Sequence, residues 1–237
     1  MFTEFRVRQA HLFVNDSLNR YVQPMKTRKY EMKQRAERQA DTRQRIVEAV
    51  VALHREVGPA RTTISAIAER AGVERLTVYR HFANDSEIYA ACSAHFDTEV
   101  PPPDPSTWVD IADPAECLRA ALLAFYDYYG RGEDMLAHIA RDAPRLPLLV
   151  AASAPSRAFV AAVRDALLAK WDVTRSERAR LAASLAHALR FETWHSLARA
   201  ESLGDADAAD LMVTLARAAA ASRAAHLVGR RTRRRSG

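Results

Sequence analysis

The chain has 237 residues, 49% of them apolar, and carries a formal net charge of +6 at pH 7. That is ample apolar material for a buried core, in one large domain or two small ones. No run of about 18 apolar residues could span a bilayer. The charged N-terminus lacks the apolar stretch and small-residue cleavage site of a secretory signal, so a cytoplasmic protein with no membrane partner is expected.

Residues 1–30 have no clear periodicity and are expected to be a disordered or arm-like extension. Met25 and Met32 are alternative translation starts. Lys26, Arg28, Lys29, Lys33, Arg35, Arg38, Arg43 and Arg45 precede and open the first helix. They are either an arm that touches phosphates or a minor groove, or a solvated, disordered stretch. The first helix places Ile46, Val50, Leu53 and Val57 on one stripe, and Gly58-Pro59 ends it.

A short helix with Ile64, Ile67 and Ala68 inward comes next, and Gly72 breaks it. Val73 plugs the turn, and a second short helix buries Val78 and Phe82. Glu74, Arg75, Leu76, Thr77, Arg80 and His81 are left pointing elsewhere. Two short helices around a tight glycine turn, the second with a mixed polar outer face, describe a DNA-reading helix-turn-helix. Asn84 and Glu87 form a capping pair for the following helix, whose inner face carries Ile88, Cys92 and Phe96. This domain is assigned to residues 31–98.

Pro101-Pro102-Pro103-Asp104-Pro105 cannot be helical and marks the connection to a second domain, 99–229. Asp113-Pro114-Ala115-Glu116 restarts a helix with Leu118, Leu122, Phe125 and Tyr129 on its apolar face. A short helix is expected over 133–141. Another, from near Pro155, carries Phe159, Val163, Leu167 and Trp171. Thr174 and Glu177 cap a long helix to about Ser202, and a last helix runs to about Val228. Residues 230–237 are a basic tail, either solvated or an auxiliary DNA contact. The fold class is all-α: an N-terminal three-helix helix-turn-helix DNA-binding domain joined to a C-terminal helical domain. The two cysteines, Cys92 and Cys117, are expected to be buried structural thiols.

Arg75 is the best candidate base reader, since a guanidinium grips guanine O6 and N7 together. Leu76 suits a thymine methyl. Thr62 and Thr63 open the first short helix, where hydroxyl and free N–H groups meet a phosphate. Arg80 either reaches a phosphate or is solvated, and the phosphate is preferred. Glu74 either accepts from a cytosine N4 or caps the helix and orients Arg75. Asp85 is a helix-end acid without a DNA role.

The residues Thr62-Thr63-Ile64, Ile67-Ala68, Ala71-Gly72-Val73 and Thr77-Val78-Tyr79-Arg80-His81-Phe82 resemble the TetR/AcrR family of bacterial transcriptional regulators over roughly 40–97. The stretch 191–198 and the length of the second domain extend the resemblance. Family members often have Ser and Gly where this chain has Glu74 and Leu76, and Lys where it has Asp85, so no relative's operator sequence transfers. The resemblance implies that Thr77, Tyr79 and His81 touch phosphates or sugar edges. It also implies a homodimer on a palindromic double-stranded operator, a repressor's outcome, and release by a small-molecule effector held in the second domain. Candidate effector contacts are Phe125, Tyr126, Tyr129, Met135, His138, Phe159, Phe191, Trp194 and His195. Leu185, Leu189, Leu211, Leu215 and Ala219 offer apolar and small surfaces to a four-helix dimer interface.

Enzyme chemistry finds no support. There is no glycine-rich phosphate loop, no Gly-x-Ser-x-Gly and no Cys-x-x-Cys. His138 and Asp142 lie four apart without a third metal ligand at motif spacing. No cofactor and no metal are expected. The competing class is a ligand-independent architectural DNA-binding protein.

Overall fold

A computed structural model of the chain describes residues 25–221. The expected basic tail 230–237, the end of the last helix near Val228 and residues 1–24 of the extension lie outside them. Every regular element among the described residues is helical, and none of these helices is long and apolar enough to cross a membrane. The chain divides after Ile46 into two units.

The described part of the first unit is the leading portion of helix α1, Met25–Glu56. It begins earlier than expected, so residues 25–30, assigned to an arm, are helical. The second unit starts within α1, where Val50 and Leu53 are buried. A 3-10 turn, Pro59–Arg61, follows. Next come α2, Ile64–Ala71, α3, Arg75–His81, and α4, Asp85–Glu99. The remainder comprises α5, Pro114–Arg131, α6, Glu133–Asp142, α7, Pro147–Ala152, and α8, Ala154–Ala169. It continues with α9, Arg175–Ala188, α10, Phe191–His195, and α11, Asp205–Ala220.

Local chemistry accounts for the helix starts. Asp113 Oδ1 accepts from the N–H groups of Ala115 and Glu116 at 2.9 and 2.8 Å. Thr174 and Glu177 form a reciprocal capping box. Asn84 accepts from the Glu87 N–H at 3.0 Å, but Glu87 reaches back to the N–H of Ala83 rather than to that of Asn84. Periodicity does not reveal helix α7, because it runs for only six residues from Pro147. It packs on α4.

The long helix expected over 174–202 is broken. Helix α9 stops at Ala188, α10 starts at Phe191, and a π turn covers Ser196–Ala200. The break frees backbone carbonyls inside the core, and α5 satisfies them. Tyr126 Oη donates to the Ala188 carbonyl at 3.1 Å, and Tyr129 Oη donates to that of Leu189 at 2.6 Å. Thr193 Oγ1 donates to the His187 carbonyl at 2.7 Å. A buried carbonyl without a partner would be unfavourable by about 1–3 kcal/mol, so the tyrosines and the break belong together.

The second unit's core centres on α5, with Leu118, Leu122, Phe125 and Tyr126 buried against Leu167, Leu181, Leu185, Leu189 and Trp194. Both cysteines are buried and free. Cys92 Sγ lies 3.4 Å from His54 Nδ1, and burial pushes its thiol up to about 12.

His54 is 4% exposed, and burial lowers its imidazole to about 4, against a smaller opposing pull from Asp142. It therefore folds in the neutral form. Between its ordinary value and about pH 4 the unfolded chain binds the extra proton, so stability falls as pH drops through this window, by about 3 kcal/mol in all. Urea unfolding between pH 7 and 4 should show this loss, and His54→Leu should flatten it.

Candidate functional site

Helices α2 and α3 pack together around Ile67, Ala68, Ala71, Val78 and Phe82, all buried. Thr63 Oγ1 caps α2 by accepting from the Ala66 N–H at 3.2 Å. Gly72 ends α2 at φ 64, ψ 42, a left-handed conformation, and Val73 N–H returns to the Ala68 carbonyl at 2.9 Å. The turn angle between the helices is thus set by backbone geometry. Arg70 on α2 grips Glu56 at the end of α1 through two bonds of 2.7 and 2.6 Å.

On α3 four of the candidate residues share one exposed face. Arg75, Leu76, Tyr79 and Arg80 are exposed, and Thr77 and His81 are half-buried. Leu76 is 64% and Tyr79 50% exposed, among the most exposed large apolar side chains described. Leu76, Tyr79 and Arg80 follow the i, i+3, i+4 spacing of one helix face. Glu74 occupies the cap position of α3, but its side chain makes no capping hydrogen bond. That removes its capping role and leaves its carboxylate on the surface. Thr62 also differs from expectation. Its hydroxyl donates to the Gly58 carbonyl at 2.9 Å, so it holds the turn rather than offering a donor to a phosphate, whereas Thr63 remains exposed. Asp85 stands in the first turn of α4, as expected.

The expected effector residues pack mainly against one another. Phe125 stacks on Phe159 with centroids 6.1 Å apart, and Tyr129 meets Phe191 edge-on at 5.6 Å and Trp194 at 6.0 Å. Trp194 Nε1 donates to Asp205 at 2.9 Å. Phe125, Tyr126, Tyr129, Met135 and Trp194 are fully or almost fully buried, whereas Phe159, Phe191 and His195 are half-buried. His195 lies 3.5 Å from Glu133, which also binds Arg199 at 2.7 Å. A surface cleft of about 210 Å³ lies beside this cluster, lined by His187, Arg190, Glu192, Thr193, Ser196, Leu197 and Met212. None of the expected effector residues lines it. Most of its lining flanks the break between α9 and α10, and periodicity read as one continuous helix could not reveal it.

His138 belongs to a different constellation. Its Nδ1 donates to the His54 carbonyl at 2.9 Å. Four residues on, Asp142 is 3% exposed. Its Oδ1 accepts from Arg141 at 2.7 Å and its Oδ2 from the Ala60 N–H at 2.9 Å. Arg141 also donates to the Val57 carbonyl at 2.9 Å. Arg141 holds the Asp142 carboxyl below its ordinary range. Gly58, at φ 90, lies under this pair, where a Cβ would collide with both side chains. Helix α6 therefore grips the turn that leads into α2. Sequence reasoning missed this contact, because its partners are more than eighty residues apart. Its one local signal is Gly58-Pro59 beside Thr62.

The dimer candidates divide. Leu185 and Leu189 have no exposure and belong to this chain's own core, so they are not available to a partner. Leu211 and Leu215 are 40% and 47% exposed on α11, and Ala219 is half-buried.

Residues 46–92 match the family described as bacterial regulatory proteins, tetR family. The HTH-type transcriptional regulator TtgR of Pseudomonas putida is 38% identical over 89 residues, which cover 37% of this chain and 42% of that relative. The match thus spans less than half the length of that protein. Among solved structures, a TetR-like transcriptional regulator from Rhodococcus sp. RHA1 is similar at TM-score 0.52 and 22% identity, over 74% of this chain and 93% of its own. NalD, the secondary repressor of the MexAB-OprM multidrug efflux pump in Pseudomonas aeruginosa, is similar at TM-score 0.53 and 19% identity, over 79% and 99%. At these identities the likeness is one of fold.

The turn geometry makes a testable demand. Gly72→Ala should destabilise the protein by about 1 kcal/mol, the penalty of a β-carbon in the left-handed region. Thr63→Ala, which removes the α2 cap, should cost a similar ~1 kcal/mol. Thermal unfolding of both variants measures this.

Proposed function

Because the chain belongs to the TetR family of bacterial regulatory proteins through residues 46–92, we propose that it is a DNA-binding transcriptional regulator acting as a repressor. It binds a palindromic operator as a homodimer with α3 in the major groove, and a small molecule releases it. The observation that carries the reading is the outer face of α3, which keeps Leu76 and Tyr79 in water beside Arg75 and Arg80. A core hairpin has no reason to expose two large apolar groups there, whereas a base edge and a sugar-phosphate strand give them contacts. Arg75 reads a guanine and Leu76 a thymine methyl. Thr63, Thr77, Tyr79, Arg80 and His81 hold the backbone.

Two-fold operators call for two copies of the reading helix. Leu211 and Leu215 on α11 supply the apolar face that joins them. The effector enters the aromatic cluster through its half-buried members, Phe159, Phe191 and His195. Opening the cluster disturbs α6, whose far end holds the turn before α2.

Operator sequences are first selected from a random pool with the full chain. Arg75→Ala should then lower affinity by about tenfold or more and relax preference at one base pair per half-site. Arg80→Ala should weaken all sequences alike and reduce the salt slope by about one. Selectivity that follows Arg80 instead would reverse the assignment.

The effector reading is tested with a panel of amphipathic aromatic compounds and a chain carrying Trp108→Phe and Trp171→Phe, so that Trp194 alone reports. A compound that quenches Trp194 should bind about 5–150-fold more weakly when the operator is saturated, the reciprocal of its effect on DNA. Equal affinity with and without operator would leave a ligand-independent, architectural DNA-binding protein.

A further inference from the structure

The first unit carries a surface that the helix-turn-helix does not use. From Tyr30 to Arg45 the helix has no buried residue. Its apolar members are few, and Tyr30 and Met32 are 61% and 66% exposed. A helix that is polar on all sides gains nothing from burial. Side-chain pairs four apart contribute only about 0.2–0.5 kcal/mol each; Lys33–Glu37 at 3.7 Å and Arg45–Asp41 at 3.4 Å are such pairs. Basic residues outnumber acidic ones along it. Glu31, Glu37 and Asp41 stand against Lys26, Arg28, Lys29, Lys33, Arg35, Arg38, Arg43 and Arg45 in the sequence.

Three kinds of partner suit a basic helix, and its composition separates them. A membrane surface requires an apolar face of large side chains opposite the charges, and this segment has none. A second copy in a coiled coil requires an apolar seam repeated every 3.5 residues, and Tyr30, Met32, Ala36 and Ala40 do not make one. A phosphate backbone requires only a regular array of cations that give up their counterions to it.

We propose that the helical segment Met25–Ile46 binds the phosphate backbone of duplex DNA, with Lys33, Arg35 and Arg38 among its contacts, and adds a sequence-independent component to operator binding. The proposal rests on the DNA-binding reading of α3. Ordered as a helix, the segment presents its charges at fixed spacing, about 1.5 Å per residue along the axis. Its cations carry no base information, so it raises affinity and association rate for any duplex and leaves the choice of operator to α3.

The test uses the full chain and a fluorescent random-sequence duplex of about 40 base pairs, titrated between about 50 and 200 mM salt. The triple variant Lys33→Gln, Arg35→Gln and Arg38→Gln keeps good helix formers at each site. It should bind this duplex roughly tenfold more weakly at the midpoint of that range, with a salt slope smaller by about two to three. Its relative preference for a selected operator over the random duplex should be unchanged or greater. Glu37→Gln breaks the Lys33–Glu37 pair yet raises the positive charge, so it should tighten binding, whereas damage to the helix would weaken it. An Arg80→Ala control separates the two readings. If Arg80→Ala weakens binding and the triple variant equals the parent, the proposal fails and the α3 reading stands. If neither variant changes binding, both fail. If the triple variant leaves DNA binding intact but shifts the sedimentation coefficient to that of a smaller species, the segment joins copies of the chain and the proposal is overturned.

Discussion

The carboxylate of Asp142 is the contact on which the second unit's organisation depends. It is buried, yet both oxygens are used: one by the neighbouring Arg141, the other by the backbone N–H of Ala60 in the turn before α2. A buried carboxylate is tolerated only with such partners, and their positions fix several other choices. Gly58 must lack a β-carbon because the pair occupies that space. Thr62 ties down the carbonyl of the same glycine. His138, one turn earlier on α6, fastens the last turn of α1 through the His54 carbonyl. Helices α2 and α3 are thereby anchored to the helical body through one end of α6, while Glu133 at its other end binds Arg199 beside the aromatic cluster. A rigid element fastened at both ends can transmit a displacement between them.

Much of this was legible in the sequence, and the parts that were not share a cause. Gly72, Thr63, Asn84, Asp113 and the Thr174–Glu177 box act on neighbours within a few residues, so their geometry follows from local rules. The apolar faces Val78–Phe82 and Leu118–Leu122–Phe125–Tyr129 follow from helical period alone. Periodicity could not distinguish a helix that continues through Leu189 from one that breaks there, because the break is stabilised by hydroxyls of Tyr126 and Tyr129 from about sixty residues away. The same limit made Leu185 and Leu189 read as partner-facing, since an apolar position on a terminal helix looks alike whichever side it meets. Glu74 shows a subtler failure. It holds the cap position, but its longer side chain does not make the short-range bond that Asn84 and Asp113 make.

The aromatic cluster now has a structural explanation that does not depend on a ligand. Phe125, Tyr129, Phe191 and Trp194 pack ring against ring, with Phe191 opening α10 just after the break. Arg199 lies 4.8 Å over the Trp194 ring, which adds a cation–π contact at the rim. The same aromatic residues serve as core, and hydroxyls from α5 satisfy the carbonyls at the break.

The state of the cysteines has a practical corollary. The sequence contains only Cys92 and Cys117. Both are buried, and Cys92 keeps its proton far above neutral pH beside a neutral His54. Maleimides and iodoacetamides are electrophiles that react with the thiolate, so the native chain is nearly silent toward them. A single cysteine engineered at an exposed position would then be the one fast-reacting thiol. The protein is already a clean background for spin or fluorophore labelling, and distances between labelled copies become measurable without first removing native sulfur.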